Sequence, residues 1–302
     1  MKDSFLSANT PDTSQSLHAQ DNTELVAQSG MRHSIRPRRV VTEQAQKRLL
    51  EQSFVTPYES RFVTSPDAPR WQDLSIEEPG AERARSSAMP VVDQDRDSAA
   101  ARAFDLLRTR LRQTTQEHGW TNIAVTAPTS GCGNTFTAVN LALSLSRIAG
   151  SRTVLMDFNM RNPGVAAAFD MQARGALVDY LDGSVAMADH MVRCGDTLAL
   201  GLNNGPHAGA AETLQDPATA RTLERMQAAL QPELVIYDMP PMLAYDDLSA
   251  FLPQLDGVLI VSDGTQTTAR QLTECERMLD GRVPLLGIVL NRARRSSVAR
   301  YT

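Results

Sequence analysis

Three short stretches of this sequence carry groups suited to handling a phosphate ester. In "VTAPTSGCGNTFTAVNLALSLS" (residues 125–146) an apolar run leads into Gly131 and Gly133, then Thr135, then an apolar pattern of helical period. Glycines at those places let successive backbone N–H groups turn toward one anion, and a helix starting beside them adds partial positive charge. Thr135 stands where the hydroxyl of a phosphate-binding loop reaches magnesium. The candidate nucleotide-binding residues here are Gly131, Cys132, Gly133, Asn134, Thr135 and Phe136. In "TVLMDFNMRNP" (153–163) an apolar strand ends on Asp157, followed by Asn159 and Arg161. An acid so placed can take a proton from a hydroxyl or hold a metal. In "ELVIYDMPPML" (233–243) a second apolar strand ends on Asp238, the arrangement that sets a carboxylate beside bound magnesium. One residue breaks the pattern: Asn134 stands where such a loop carries lysine, and no Lys or Arg occurs between residues 113 and 146. The loop offers a triphosphate backbone dipoles, hydroxyls and a neutral amide.

Such groups need elements to converge them. Apolar runs predict strands over 123–127, 153–157, 198–202, 233–238, 257–262 and 285–290, with helices over 135–148, 174–182, 185–193, 213–230 and 266–279. A further helix ends at Gly119, with Ala103, Leu106, Leu107 and Leu111 as its expected buried face. Continuous apolar strands alternating with helices predict a doubly wound, mostly parallel α/β sheet, whose ligands sit at the carboxyl ends of its strands. Residues 1–95 are polar, without sustained periodicity, and read as a largely disordered arm; the folded domain is expected over 96–302. The chain of 302 residues has a net charge of −5, which gives no basic field for nucleic acid. Its three cysteines lie far apart with no metal-like spacing. No apolar run approaches the ~18–20 residues that span a bilayer, so a cytoplasmic protein is expected.

Over residues 98–295 the chain resembles the cytoplasmic domain of the bacterial tyrosine kinases of capsule and exopolysaccharide synthesis (CpsD/CapB type). That family is a branch of the P-loop NTPases that also holds the ParA/MinD partitioning ATPases. The resemblance rests on the loop at 126–137, "MDFNMRNP", "IYDMPP" and "GIVLNRAR" (287–294). It implies ATP and Mg2+ as cofactors, with Thr135, Asp157 and Asp238 at the metal and Asp157 and Arg161 in catalytic roles. It also implies that Asn291 and Arg292 lie near the nucleotide base. The family's ring-forming Glu-x-x-Arg-x-x-Arg corresponds to Arg102, Asp105 and Arg108, expected here at a homo-oligomer contact. A membrane-bound polysaccharide chain-length or co-polymerase protein is the implied partner, which would recruit the chain to the inner membrane face. Where the family ends in a tyrosine cluster, this chain has Tyr301 alone as candidate phosphosite.

The departures separate three functions. An ATP-dependent tyrosine autokinase would need its missing lysine replaced, by Arg161 or by an arginine of a neighbouring subunit. A degenerate relative would bind nucleotide weakly and regulate polysaccharide polymerisation or export by oligomerising. A ParA/MinD-type partitioning ATPase is disfavoured, because Thr129 stands where those proteins carry a second lysine. The expectation is a kinase-like P-loop protein of exopolysaccharide synthesis, with the neutral loop weighing against catalysis.

Overall fold

A computed structural model describes residues 70–80, 92 and 96–293. Tyr301, the basic tail after residue 293 and most of the N-terminal arm lie outside the described residues. The chain forms a seven-stranded sheet: β1 (Asn122–Thr126), β2 (Thr153–Asp157), β3 (Val192–Arg193), β4 (Leu198–Gly201), β5 (Leu234–Asp238), β6 (Gly257–Asp263) and β7 (Leu285–Asn291). Its order is β3-β4-β2-β5-β1-β6-β7, and every pairing is parallel except β3 with β4. Strands β2, β5 and β6 are buried along their whole length, as helices on both faces require. Two apolar clusters fill the faces. One contains Phe158, Tyr237 and Phe251, and the other Ile123, Leu141 and Ile236.

The helices are α1 (Ala99–His118), α2 (Asn134–Ser146), α3 (Val165–Phe169), α4 (Leu177–Leu181), α5 (Met187–His190), α6 (Ala210–Gln215), α7 (Pro217–Leu230), α8 (Asp247–Phe251) and α9 (Ala269–Leu279). The doubly wound sheet stands as the sequence predicts, with three local corrections. The helix expected over 213–230 is two helices, because Pro217 lacks the N–H a continuous helix needs and Asp216 caps the second through Ala218 N. The helix expected over 185–193 stops at His190, and Val192–Arg193 pair antiparallel to β4 instead. Helix α1 buries Ala101, Phe104 and Leu111, whereas Leu106 is 52% exposed.

Of the three α1 residues expected between subunits, two are engaged within the chain. The Asp105 carboxylate accepts from Ser144 Oγ at 2.7 Å and Arg147 Nη2 at 2.8 Å, and pairs with Arg108 at 3.1 Å. Arg108 also donates to Ser144 O at 3.0 Å, fastening α1 to α2. Arg102 is exposed.

Residues 70–80 lie within the stretch read as an arm, yet they pack on the domain. Trp71 is 3% exposed, Leu74 is also buried, and Ile76 bridges to Arg193 on β3. Burying such a side chain contributes roughly 1.5–3 kcal/mol. Two apolar residues spaced three apart in polar surroundings carry too little periodicity to reveal this from sequence. No helix among the described residues is long and apolar enough to cross a membrane.

Candidate nucleotide site

The carboxyl ends of β1, β2 and β5 lie side by side, and the three polar stretches meet there. Asp157 and Asp238 are register partners on adjacent strands, and Val125, which leads into the loop, is the partner of Asp238 on its other side. Gly131 (φ 80°) and Gly133 (φ 94°) are left-handed, which turns the loop into the start of α2. The first N–H groups of α2 have no acceptor within the helix and face a cleft of about 530 Å³. The cleft is lined by the loop and, among others, by Asn159, Arg161, Tyr245, Asn291 and Arg292.

Asn134 lines the cleft with its amide bonded to β5 and the residue after it. It is 7% exposed, and its amide donates to Asp238 Oδ1 at 3.1 Å and to the Met239 carbonyl at 2.8 Å. Asn134 thus ties the loop to β5. Thr135 lines the same cleft. Asp157 Oδ2 accepts from the N–H groups of Gly164 (3.1 Å) and Val165 (2.9 Å), which holds the start of α3. Each acid keeps one buried oxygen without a partner, Asp157 Oδ1 and Asp238 Oδ2. Among the described residues, no Lys or Arg pairs with either.

Burial raises the Asp157 carboxyl to about 7, against the pull of its backbone hydrogen bonds. Burial, then the adjacent Asp157, pushes Asp238 well above the usual carboxylate range. Both acids hold protons in the folded chain at pH values where the unfolded chain has released them. The stability this confers is fully present below the ordinary carboxylate value of 3.8 and is lost as pH rises through about 7. In metal-free buffer the unfolding free energy should fall between pH 5 and pH 8, and Asp238→Asn should flatten that slope. A wild-type slope no steeper than that of Asp238→Asn would remove the buried-acid assignment.

The arginines in the cleft are held in place by two further acids, Asp247 and Asp263. Arg161, expected to act in catalysis or stand in for the lysine, forms a bidentate pair with buried Asp247 (2.9 and 2.8 Å). It also donates to the Ala208 carbonyl at 2.6 Å and lies 5.1 Å from the Tyr245 ring centre. Arg292 (φ 51°) donates to the Gly131 carbonyl at 2.9 Å and pairs with Asp263. Hydrogen bonds from Thr265, then from Arg292, hold the Asp263 carboxyl below its ordinary value. Asp263 had a visible signal, because it ends β6 as Asp157 ends β2. Asp247 had none, since its partner is 86 residues away.

Asn291 donates to the Cys132 carbonyl at 2.9 Å, and a Cβ at Gly133 would stand 2.3 Å from the same Nδ2. It fastens the loop closely enough that only glycine fits. The Cys132 side chain is buried, with its sulfur 3.5 Å from Thr129 Oγ1, so the backbone is what this residue offers a ligand. Phe136 lines the cleft and meets Phe104 of α1 edge-on at 5.9 Å.

The two orphaned carboxylate oxygens and the Thr135 hydroxyl fit a divalent cation, which accepts one or two carboxylates with water completing its shell. The loop and cleft fit a phosphate chain less well, because backbone N–H groups are provided without the usual lysine charge.

No protein-family profile matches the chain. It is 30% identical over 200 residues to EpsB of Ralstonia nicotianae, named a tyrosine-protein kinase, covering 65% of this chain and 26% of EpsB. It is 27% identical over 188 residues to the succinoglycan biosynthesis transport protein ExoP of Rhizobium meliloti, covering 60% of this chain and 23% of ExoP. The matched part is thus about a quarter of the length of these relatives. The fold is similar to the kinase domain of the Escherichia coli tyrosine kinase ETK, with a TM-score of 0.62 and 22% identity over 74% of this chain and 91% of that domain. With the loop, the two strand-end aspartates and the sheet order in one arrangement, the chain is similar in sequence to EpsB and ExoP and in fold to a bacterial tyrosine-kinase domain.

Proposed function

We propose that this chain is a nucleotide-responsive regulator of exopolysaccharide polymerisation or export that keeps the kinase architecture with a disarmed phosphate loop. The observation that carries this reading is the Asn134 amide, bonded to Asp238 and Met239 where a charged lysine would face the phosphates. Removing one partner of a buried charge-assisted contact costs ~2–5 kcal/mol. That corresponds to a factor of about thirty to several thousand in affinity. Arg161 does not offset the loss, because Asp247 and the Ala208 carbonyl hold its guanidinium. Bound Mg2+ would be held by Thr135, Asp157 and Asp238 and would neutralise phosphate charge. The loop N–H groups would cradle the phosphates, with Asn291 and Arg292 keeping the loop in place. The name of ExoP, a succinoglycan biosynthesis transport protein, supports the polysaccharide assignment, and a membrane-bound co-polymerase is the partner in this reading.

The second reading is an active autokinase that modifies Tyr301. It is favoured by Asp157, an acid with its pKa raised to about 7, which suits a general base near neutral pH. Calorimetric titration with ATP and Mg2+, followed by mass analysis of Tyr301, separates the two. Weak saturable binding with no phosphate on Tyr301 is the expected result, and stoichiometric phosphorylation would overturn the regulator reading. Asp238→Ala should abolish any magnesium dependence of nucleotide binding. If that dependence persists, the metal assignment is wrong.

A further inference from the structure

Strand β3 is an edge of the sheet, and residues 70–80 lie along it in parallel through one bridge. Arg193 N–H donates to the Ser75 carbonyl at 2.8 Å, and Glu77 N–H donates to the Arg193 carbonyl at 2.9 Å. Side chains supply the rest of the hold. The Trp71 ring is buried, its indole N–H donates to the Asp196 carbonyl at 2.8 Å, and Arg152 lies over its face at 5.6 Å. Leu74 is buried, and its carbonyl accepts from Arg193 Nε at 3.3 Å. Glu77 pairs with Arg174.

The far end of this strap reaches α3. Gly80 N–H donates to the Phe169 carbonyl at 3.2 Å, at the last residue of that helix. A Cβ on Gly80 would stand 2.6 Å from the Asp170 backbone oxygen, so the approach leaves no room for a side chain. Helix α3 has only five residues. Its other end is gripped by Asp157 through the N–H groups of Gly164 and Val165. A short helix held at both ends connects the strap to a carboxylate of the candidate site.

We propose that the β3 edge is a strand-addition dock for an extended Trp-x-x-Leu segment, filled in cis by residues 70–80, and that its occupancy sets α3 and thereby the carboxylate of Asp157. Strand addition of this kind takes its affinity from main-chain hydrogen bonds and its selectivity from side-chain pockets. Here the pocket is the one that takes Trp71. Anything that draws the strap off the edge loosens α3 and with it the hydrogen bonds that orient Asp157. The inference stands on the fold alone and holds whether or not the site takes nucleotide.

Hydrogen exchange of the full-length chain tests it, with wild type beside Trp71→Ala and Gly80→Val. Detachment is read at the Glu77 and Arg193 amides, and coupling at the Gly164 and Val165 amides. The expected result is exchange at least ~10-fold faster at Gly164 and Val165 in both variants, with β5 and β6 amides unchanged. A synthetic peptide of residues 70–80, at millimolar concentration, should return the Trp71→Ala chain toward wild-type rates. Free Glu77 and Arg193 amides with Gly164 and Val165 at wild-type rates would overturn the coupling. Failure of the peptide to slow exchange at Arg193 would overturn the dock. Gly80→Val leaves Trp71 in place and carries the coupling test should Trp71→Ala not fold.

Discussion

Asn134→Lys is expected to tighten Mg-ATP binding by at least ~30-fold over wild type, the lower end of what a buried charge-assisted contact contributes. The asparagine amide ends at Asp238 and the Met239 carbonyl, and the longer, flexible lysine stem would let an ammonium pass those partners. The ammonium also meets two carboxyl groups that have buried oxygens without partners, and its charge favours their ionised forms. Two readouts should move together: the affinity measured by calorimetry rises, and the loss of stability between pH 5 and pH 8 shrinks, because a neighbouring cation lowers a carboxyl pKa. Tighter binding without the pH change would place the ammonium on the phosphates alone. A flattened pH profile without tighter binding would mean that the new cation is held by the two aspartates. No change in either would show that the loop is not in a phosphate-binding geometry.

Arg161→Ala is expected to cost ~3–5 kcal/mol of stability, the range for removing one partner of a buried ion pair. The Asp247 carboxylate is fully buried, and the Arg161 side chain is 22% exposed. The same guanidinium joins the Ala208 carbonyl and the Tyr245 ring, so three loop segments lose a common fastening. Urea unfolding should show a lower midpoint with little change in slope, and Arg161→Ala with Asp247→Asn should recover part of the loss. A cost under ~1 kcal/mol, together with weaker nucleotide binding, would return Arg161 to the catalytic role that the sequence resemblance implies.

Much of this architecture is legible because its signals are local. The apolar runs ending on Asp157 and Asp238 announce buried parallel strands with acids at their carboxyl ends, and both acids occupy those places in the sheet. Gly131 and Gly133 mark left-handed turns that other residues adopt only at a cost, and both have that backbone. The failures are equally physical. Helical periodicity selected Leu106 for the buried face of α1, but which side meets α2 is decided by Phe104 against Phe136 and by Asp105 against Ser144 and Arg147. Composition assigned residues 70–80 to the arm, and one tryptophan pocket on the domain overrides it.

What the sequence by itself determined is the order of elements, the doubly wound sheet, the positions of the two strand-end acids and the absence of the loop lysine. Each is written within a dozen consecutive residues, where backbone preference and hydrophobic period act. What only the tertiary structure decided is where the charges go. Arg161 finds Asp247 across 86 residues, Asn134 finds Asp238 across 104, and Arg292 finds Gly131 across 161. Electrostatic partners are chosen by distance in space and by the cost of leaving a buried charge alone, and neither exists until the strands have been laid side by side.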